Sequence, residues 1–243
     1  RDAQESRGLG DVYKRQNYNN PQLGKDLLRI MNALGYGVQL LDKEKCCGVA
    51  LISNGLYKQA RRQAQTNLRS IRTSVSQRDL DVIATSSTCT FTLRDEYPHL
   101  LNLDNEDVRD RIELATRYIY RLLQEGKHNL RLKDTTPLRV AYHTPCHMEK
   151  MGWGYYSIEL LRMMPGVEVT VLDSQCCGIA GTYGFKKENY KTSQAIGEPL
   201  FKQIEASGAD IVATDCETCK WQIEMSTSKP CEHPLHILAS RLE

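Results

Sequence analysis

Five cysteines in the second half of the chain stand in an order that points to metal chemistry: Cys146, then Cys176-Cys177-Gly178, then Cys216-Glu-Thr-Cys219. Zinc takes four ligands in a closed structural site, so five converging thiolates over-supply it. A cluster of several irons, by contrast, accepts adjacent cysteines on different metals. A Cys-x-x-Cys alone is open between zinc, a redox disulfide and a cluster; with Cys-Cys-Gly upstream, an iron–sulfur cluster is the favoured reading. His143 and His147 bracket Cys146 and stay open between ligation, proton relay, contact with a quinone, and ordinary loop hydrogen bonding. Cys231, in Lys-Pro-Cys-Glu-His-Pro, reads as a small buried hydrophobe.

The first half carries a reduced copy of the same arrangement. A shift of 130 residues maps Cys46, Cys47, Gly48 and Cys89 onto Cys176, Cys177, Gly178 and Cys219, and Asp81-Val-Ile-Ala-Thr85 echoes Asp210-Ile-Val-Ala-Thr214. A period this long means duplicated domains, each large enough to hold its own core. The copy is incomplete. Ser86 stands where Cys216 would be, and the position matching Cys146 falls near Gln16, leaving Cys46, Cys47 and Cys89. One full site in the second half and one degenerate site in the first are expected. Gly48 and Gly178 suit a backbone that passes close to a bound group or takes a positive φ directly after a thiol pair.

Elements that would position these groups follow from periodicity. Helices are expected over Gly24–Leu34 (Leu27, Leu28, Met31 and Leu34 on one face), Ala60–Val75, Ile158–Met164 and Asn189–Glu205, the last broken at Gly197-Glu-Pro199. A long amphipathic helix is expected from Asn105 to Glu125, with Val108, Ile112, Ala115, Ile119 and Leu122 at helical spacing. Strands are expected at Gly37–Asp42, Asp81–Thr85, Leu138–Tyr142, Val167–Leu172 and Asp210–Thr214. Short strands alternating with helices imply an α/β fold, here two repeated cysteine-rich domains with short parallel sheets flanked by helices. In such a sheet the carboxyl ends of the strands share one edge, where loops distant in sequence meet. Residues 17–134 read as the first domain and 135–243 as the second, with a polar linker over Gly126–Pro137. Residues Arg1–Gln16 carry no apolar periodicity and read as a foreign tail outside the fold.

Composition excludes several classes. Forty per cent hydrophobic residues in 243 is an ordinary globular level, and 32 basic against 30 acidic residues leave a charge of +2, with nothing to recruit nucleic acid. The charge-free stretches Ile30–Leu41 and Cys46–Tyr57 fall well short of the roughly 20 apolar residues of a membrane helix. The opening residues Arg-Asp-Ala-Gln-Glu-Ser lack an apolar leader, so a reducing, intracellular setting is expected for the nine cysteines.

These motifs carry a resemblance. The order Cys, Cys-Cys-Gly, Cys-x-x-Cys resembles the cysteine-rich CCG domain found in the B subunits of heterodisulfide reductases and in glycolate oxidase iron–sulfur subunits. The stretches Tyr142-His-Thr-Pro-Cys-His-Met-Glu-Lys-Met-Gly-Trp153 and Leu172-Asp-Ser-Gln-Cys-Cys-Gly-Ile-Ala-Gly-Thr-Tyr-Gly184 are similar to the family of C subunits of bacterial anaerobic glycerol-3-phosphate dehydrogenases, from Asn17 to the C-terminus. The resemblance implies an electron-transfer subunit with an iron–sulfur cluster of the 4Fe–4S type and no catalytic residue of its own. Its partners would be a flavoprotein catalytic subunit, a second subunit of the dehydrogenase complex, and menaquinone, at the cytoplasmic face of the inner membrane as a peripheral component. It implies Cys146, Cys176, Cys177, Cys216 and Cys219 as metal ligands, and Cys46, Cys47 and Cys89 as remnants of a second set. No ferredoxin-type Cys-x2-Cys-x2-Cys-x3-Cys run is present, so the chain reads as the C-terminal part of such a subunit. Two rivals remain: a thiol–disulfide oxidoreductase using Cys216 and Cys219, and a structural zinc module for docking.

Overall fold

The computed structural model describes residues 20–41, 43–126 and 130–243, and the backbone alone of 8–10. The chain divides into two compact units, Arg1–Arg131 and Leu132–Glu243. The first contains β1 (Gly8–Gly10), α1 (Pro21–Ala33), β2 (Gln39–Leu40), α2 (Val49–Ile52), α3 (Tyr57–Arg78), β3 (Asp81–Ala84), α4 (Ser87–Phe91), α5 (Tyr97–Leu101), α6 (Glu106–Arg109), β4 (Ile112–Leu114) and α7 (Ala115–Gln124). The second contains β5 (Leu138–Tyr142), α8 (Cys146–Met151), α9 (Gly154–Arg162), β6 (Val167–Val171), α10 (Tyr190–Ala206), β7 (Ile211–Ala213), α11 (Glu217–Ser226), β8 (Cys231–Glu232) and α12 (Pro234–Ser240).

Each unit is built on one four-stranded sheet, in the orders β2-β1-β3-β4 and β6-β5-β7-β8, with every neighbouring pair parallel. Parallel neighbours cannot be joined by tight turns, so helices cross over between them. The first strand of each sheet is central and the chain winds outward from it in both directions. The gap between first and third strands is therefore the switch point, the crevice at which doubly wound sheets bind ligands. The inner strands are apolar without alternation, as sheets covered on both faces require: Val82, Ile83 and Ala84 in β3, and Val140, Ala141 and Tyr142 in β5, are all buried.

The structure changes several sequence expectations. Gly8–Gly10, inside the segment set aside as a tail, pairs with both β2 and β3. Three residues, Gly-Leu-Gly, carry too little periodicity to announce a strand, and the pairing on both sides supplies what the pattern lacks. The remainder of Arg1–Gln16, together with Asp42 and positions 127–129 of the linker, lies outside the described residues. Asn105–Glu125 is not one helix. Ile112–Leu114 forms strand β4 against β3, with Ile112, Glu113 and Leu114 all buried. Glu113 can be buried there because Arg117 and Arg121, one and two turns along α7, both bond its carboxylate. Leu123, rather than Leu122, is the inward residue of α7. Leu28 of α1 is likewise exposed.

The expected break at Gly197-Glu-Pro199 does not occur, and α10 runs through Pro199 unbroken. Leu200, Phe201 and Ile204 beyond the proline are buried in the core, and their burial offsets the missing backbone bond. Several elements had no sequence expectation: the helices α2, α8, α11 and α12, strand β8, and α4 and α5 with the π-turn Thr92–Glu96 that joins them. The carbonyls that this wider turn frees, those of Leu93 and Arg94, accept from the Asn105 side chain at 2.7 and 3.0 Å. Leu132, from the polar linker, bridges Leu242, and Lys133 donates to the Arg241 carbonyl.

Candidate metal centre

The second unit gathers its chemistry at the carboxyl edge of its sheet. β5 ends at Tyr142, releasing His143 and then Cys146, the first residue of α8. β6 ends at Val171, ahead of Cys176-Cys177-Gly178. β7 ends at Ala213, ahead of Asp215, Cys216 and the first turn of α11, which holds Cys219. Cys177 and Cys219 approach to 3.3 Å between sulfurs. One ligand atom each from His143, Cys177 and Cys219 lies within 4.8 Å of the others, and all three residues are buried. Cys216 joins this floor, 3 % exposed, its sulfur 3.2 Å from Thr218 Oγ1. Cys146 and Cys176 are exposed and form the rim. Cys216 caps α11 and Cys219 lies in its first turn, where the helix dipole favours negative charge on sulfur.

The loop carrying the thiol pair is held from behind. Gly178 has φ +87°, and a β-carbon there would stand 2.0 Å from the Ser193 carbonyl oxygen of α10. One at Gly197 would stand 2.6 Å from the Cys177 carbonyl oxygen. Ser193 Oγ donates to the Gly178 carbonyl at 2.9 Å and accepts from Gln222 Nε2 at 3.0 Å, tying the loop to α10 and α11. The Gly178 amide donates to Cys176 sulfur at 3.3 Å.

Electrostatics follow from this crowding. Hydrogen bonds from the Cys176 and Cys219 thiols pull the Cys177 thiol far below the ordinary range against the effect of its burial; His143 and the Ile179 amide act in the same direction. Cys219 moves upward, first through sharing its proton with Cys177 and Cys216 and then through burial. A metal would displace the protons that these thiols share. His143 Nε2 is buried and meets no partner at ordinary hydrogen-bond geometry, while the imidazole still acts on the Cys177 thiol. That orphaned nitrogen and the soft donor set together fit an iron–sulfur group.

The sequence reading missed a polar network behind the thiols. Asp215, fully buried, precedes Cys216 directly; Tyr142 Oη donates to its Oδ2 at 2.6 Å and Ser157 Oγ to its Oδ1 at 3.0 Å. His233 Nε2 lies 4.0 Å from Oδ1, while its Nδ1 accepts from the Leu235 amide. Burial, and then Asp215, push the Tyr142 phenol well above its usual value, so it stays a donor. The network locks the backbone that presents Cys216; the one available signal was an acidic residue placed directly before Cys-x-x-Cys at a strand end. His147 is half-buried and does not belong to the group of His143, Cys177 and Cys219. Cys231 is fully buried in β8.

In the first unit Cys46, Cys47 and Cys89 also meet. Hydrogen bonding to Cys46 and Cys89, then burial, push the Cys47 thiol well above its usual value. Gly48 has φ +98°, yet a β-carbon there would meet Ala60 at an ordinary 3.6 Å. Ser86 is buried at the position matching Cys216, and Gln16 lies outside the described residues.

Fold and site together define a class: a duplicated parallel α/β protein with a thiol cluster at the switch point of its second sheet. The sequence profile of the cysteine-rich domain family CCG matches residues 13–94 and 140–224, and the chain belongs to that family. Among curated proteins it is 70% identical over 226 residues to the C subunit of the anaerobic glycerol-3-phosphate dehydrogenase of Escherichia coli strain K12, covering 93% of this chain and 57% of the relative. It is 28% identical over 201 residues to "Lactate utilization protein A" of Geobacillus thermodenitrificans, covering 80% of each. It is 26% identical over 215 residues to the B subunit of the CoM/CoB fumarate reductase of Methanothermobacter marburgensis, covering 87% of this chain and 40% of the relative. The chain thus spans a little over half the length of the Escherichia coli relative.

Proposed function

We propose that this chain is an iron–sulfur electron-transfer subunit, carrying electrons from a flavin-dependent glycerol-3-phosphate dehydrogenase catalytic subunit towards menaquinone. The observation that carries the reading is the convergence of a five-cysteine set on one sheet edge, in a chain 70% identical to a protein named for that dehydrogenase. Cys146, Cys176, Cys177, Cys216 and Cys219 would hold a cluster of the 4Fe–4S type; Cys46, Cys47 and Cys89 would hold at most a partial one. When bound, such a group supplies one-electron transfer. The residues of this chain set its charge, exclude water from the floor and leave the rim at Cys146 and Cys176 open towards a partner. Among the described residues no helix is long and apolar enough to cross a membrane, so peripheral attachment through partner subunits, on the cytoplasmic side, is part of the proposal.

The test is iron, zinc and acid-labile sulfide per chain on anaerobically purified protein, with visible absorption before and after dithionite. Several irons with comparable sulfide and a bleachable band are expected. Zinc without sulfide would replace the reading by a structural module. The thiol–disulfide reading, expected through Cys216 and Cys219, would require disulfide turnover by metal-free protein; the pair at 3.3 Å between sulfurs is Cys177 and Cys219.

A further inference from the structure

We propose that His143 donates its Nε2 proton to a sulfur of the cluster in the second unit, and that this hydrogen bond raises the cluster's affinity for an electron. The inference rests on the iron–sulfur reading above and adds to it a residue outside the cysteine set. His143 follows β5 directly, and its backbone amide donates to the Ala213 carbonyl of β7 at 2.9 Å, so the residue is pinned across the switch point. Its side chain is 2 % exposed, and Nε2 is buried without a partner at ordinary hydrogen-bond geometry. It reaches the same 4.8 Å neighbourhood as the sulfurs of Cys177 and Cys219.

Five thiols already supply the ligands of the proposed cluster, which leaves the imidazole surplus to ligation and able to serve as a donor. Thiolates and sulfides packed on a buried floor concentrate negative charge, and an N–H aimed at them meets that charge. Reduction adds a further electron there, so the hydrogen bond strengthens on reduction and favours the reduced state.

The test compares His143→Phe, which removes the donor, with His143→Gln, which keeps an N–H at similar reach, in the anaerobically purified full chain. Iron and sulfide per chain, the midpoint potential, and exchangeable-proton and 15N-histidine couplings by pulsed EPR are measured on each. The Phe variant should keep its iron and sulfide, lose one exchangeable-proton coupling and shift to a more negative potential, with the Gln variant between it and the wild type. Should the Phe variant fail to fold, the Gln variant must still show a smaller shift in the same direction. An unchanged potential and unchanged couplings would overturn the proposal. So would loss of iron from a folded His143→Phe protein together with a strong 15N coupling in the wild type, which would make His143 a ligand. Wild-type protein without iron or sulfide would remove the iron–sulfur reading itself, whereas iron with no histidine coupling would remove this inference alone.

Discussion

The two units share a strand order, a left-handed glycine after a thiol pair, and a cysteine in the first turn of the helix following the third strand, yet they differ in the side chains they offer to a ligand. The second unit has the five-cysteine set besides the buried Cys231, a histidine on the floor and a carboxylate network behind Cys216. The first has three cysteines, Ser86 in place of Cys216, and a segment from Asp81 to Cys89 one residue shorter than Asp210 to Cys219. No carboxylate precedes Ser86; Thr85 stands there. The thiol-pair loops are also held differently. In the first unit Asn67 of α3 reaches across to accept from the Lys45 amide at 2.7 Å and donate to the Cys46 carbonyl at 3.3 Å. In the second, Gly197 at the matching position lets α10 touch the loop with its backbone. Fold and ligand set are thus separate layers of the sequence: buried strands and the loop glycine maintain the scaffold when ligands are lost.

The largest expected effect tests where the working site lies. Replacing Cys177 by alanine should remove the iron of the second unit, while Cys47→Ala should leave most of the iron in place; metal analysis of the two purified variants decides. Loss of iron in Cys47→Ala alone would reverse the assignment of full and degenerate sites.

Next comes the glycine after each pair. Gly178→Ala combines a left-handed conformation, costing about 1–2 kcal/mol, with a clash against the Ser193 carbonyl that adds about 1–3 kcal/mol. Gly48→Ala has room and should incur only the first, about 1–2 kcal/mol. Both tryptophans, Trp153 and Trp221, belong to the second unit. Gly178→Ala should therefore shift the denaturant midpoint followed by tryptophan fluorescence, and Gly48→Ala should shift only the circular dichroism transition. Equal losses would mean that the two loops are packed alike.

Particular residues show which parts of this architecture were legible in advance. The strand Leu138–Tyr142 appears with the expected bounds because Val140, Ala141 and Tyr142 are buried on both faces and no competing period exists. The thiol pair and its glycine were legible because no other residue types combine ligand chemistry with a positive φ. Strand β4 was not, since Val108, Ile112, Ala115 and Ile119 fit a helical period by coincidence; pairing with β3, a contact distant in sequence, decides the outcome. The network of Asp215, Tyr142, Ser157 and His233 was invisible for the same reason: its members come from four elements, and only the folded sheet brings them together. His143 was noticed, but its burial with an unpartnered nitrogen was not readable from a loop sequence.

A smaller effect sharpens the account of degeneracy. Ser86→Cys, placed in a Cys177→Ala background, supplies a fourth thiol at a buried position beside Cys89. Iron per chain should rise above that of the Cys177→Ala parent but stay below a full cluster, because the counterpart of Cys146 is still missing. No rise would locate the defect in the missing residue of the Asp81–Cys89 segment rather than in the thiol count.

The smallest effect concerns the aspartates that open the third strand of each sheet. Asp81 is largely buried, bonded by Arg111 and, at 3.2 Å, by the Tyr118 hydroxyl, whose own pKa is pushed up first by burial and then by Asp81. Asp81→Asn should cost about 1.5–3 kcal/mol, the range for hydrogen bonds to a charged group. Asp210 pairs with Arg139 in the open, at 2.7 Å, and Asp210→Asn should change stability less than Asp81→Asn does, because solvent and salt screen the pair. The Arg139 side chain, then its backbone amide, lower the Asp210 pKa to about 2. A depressed carboxylate favours the folded state above its unfolded pKa of about 3.9, and that contribution fades as pH falls through about 2. The Asp210→Asn difference should therefore be constant from neutral pH down to about 5, and unfolding midpoints for both variants at pH 5 and pH 7 would check this. An Asp210→Asn loss as large as that of Asp81→Asn would show that the pair at this strand end is shielded from water.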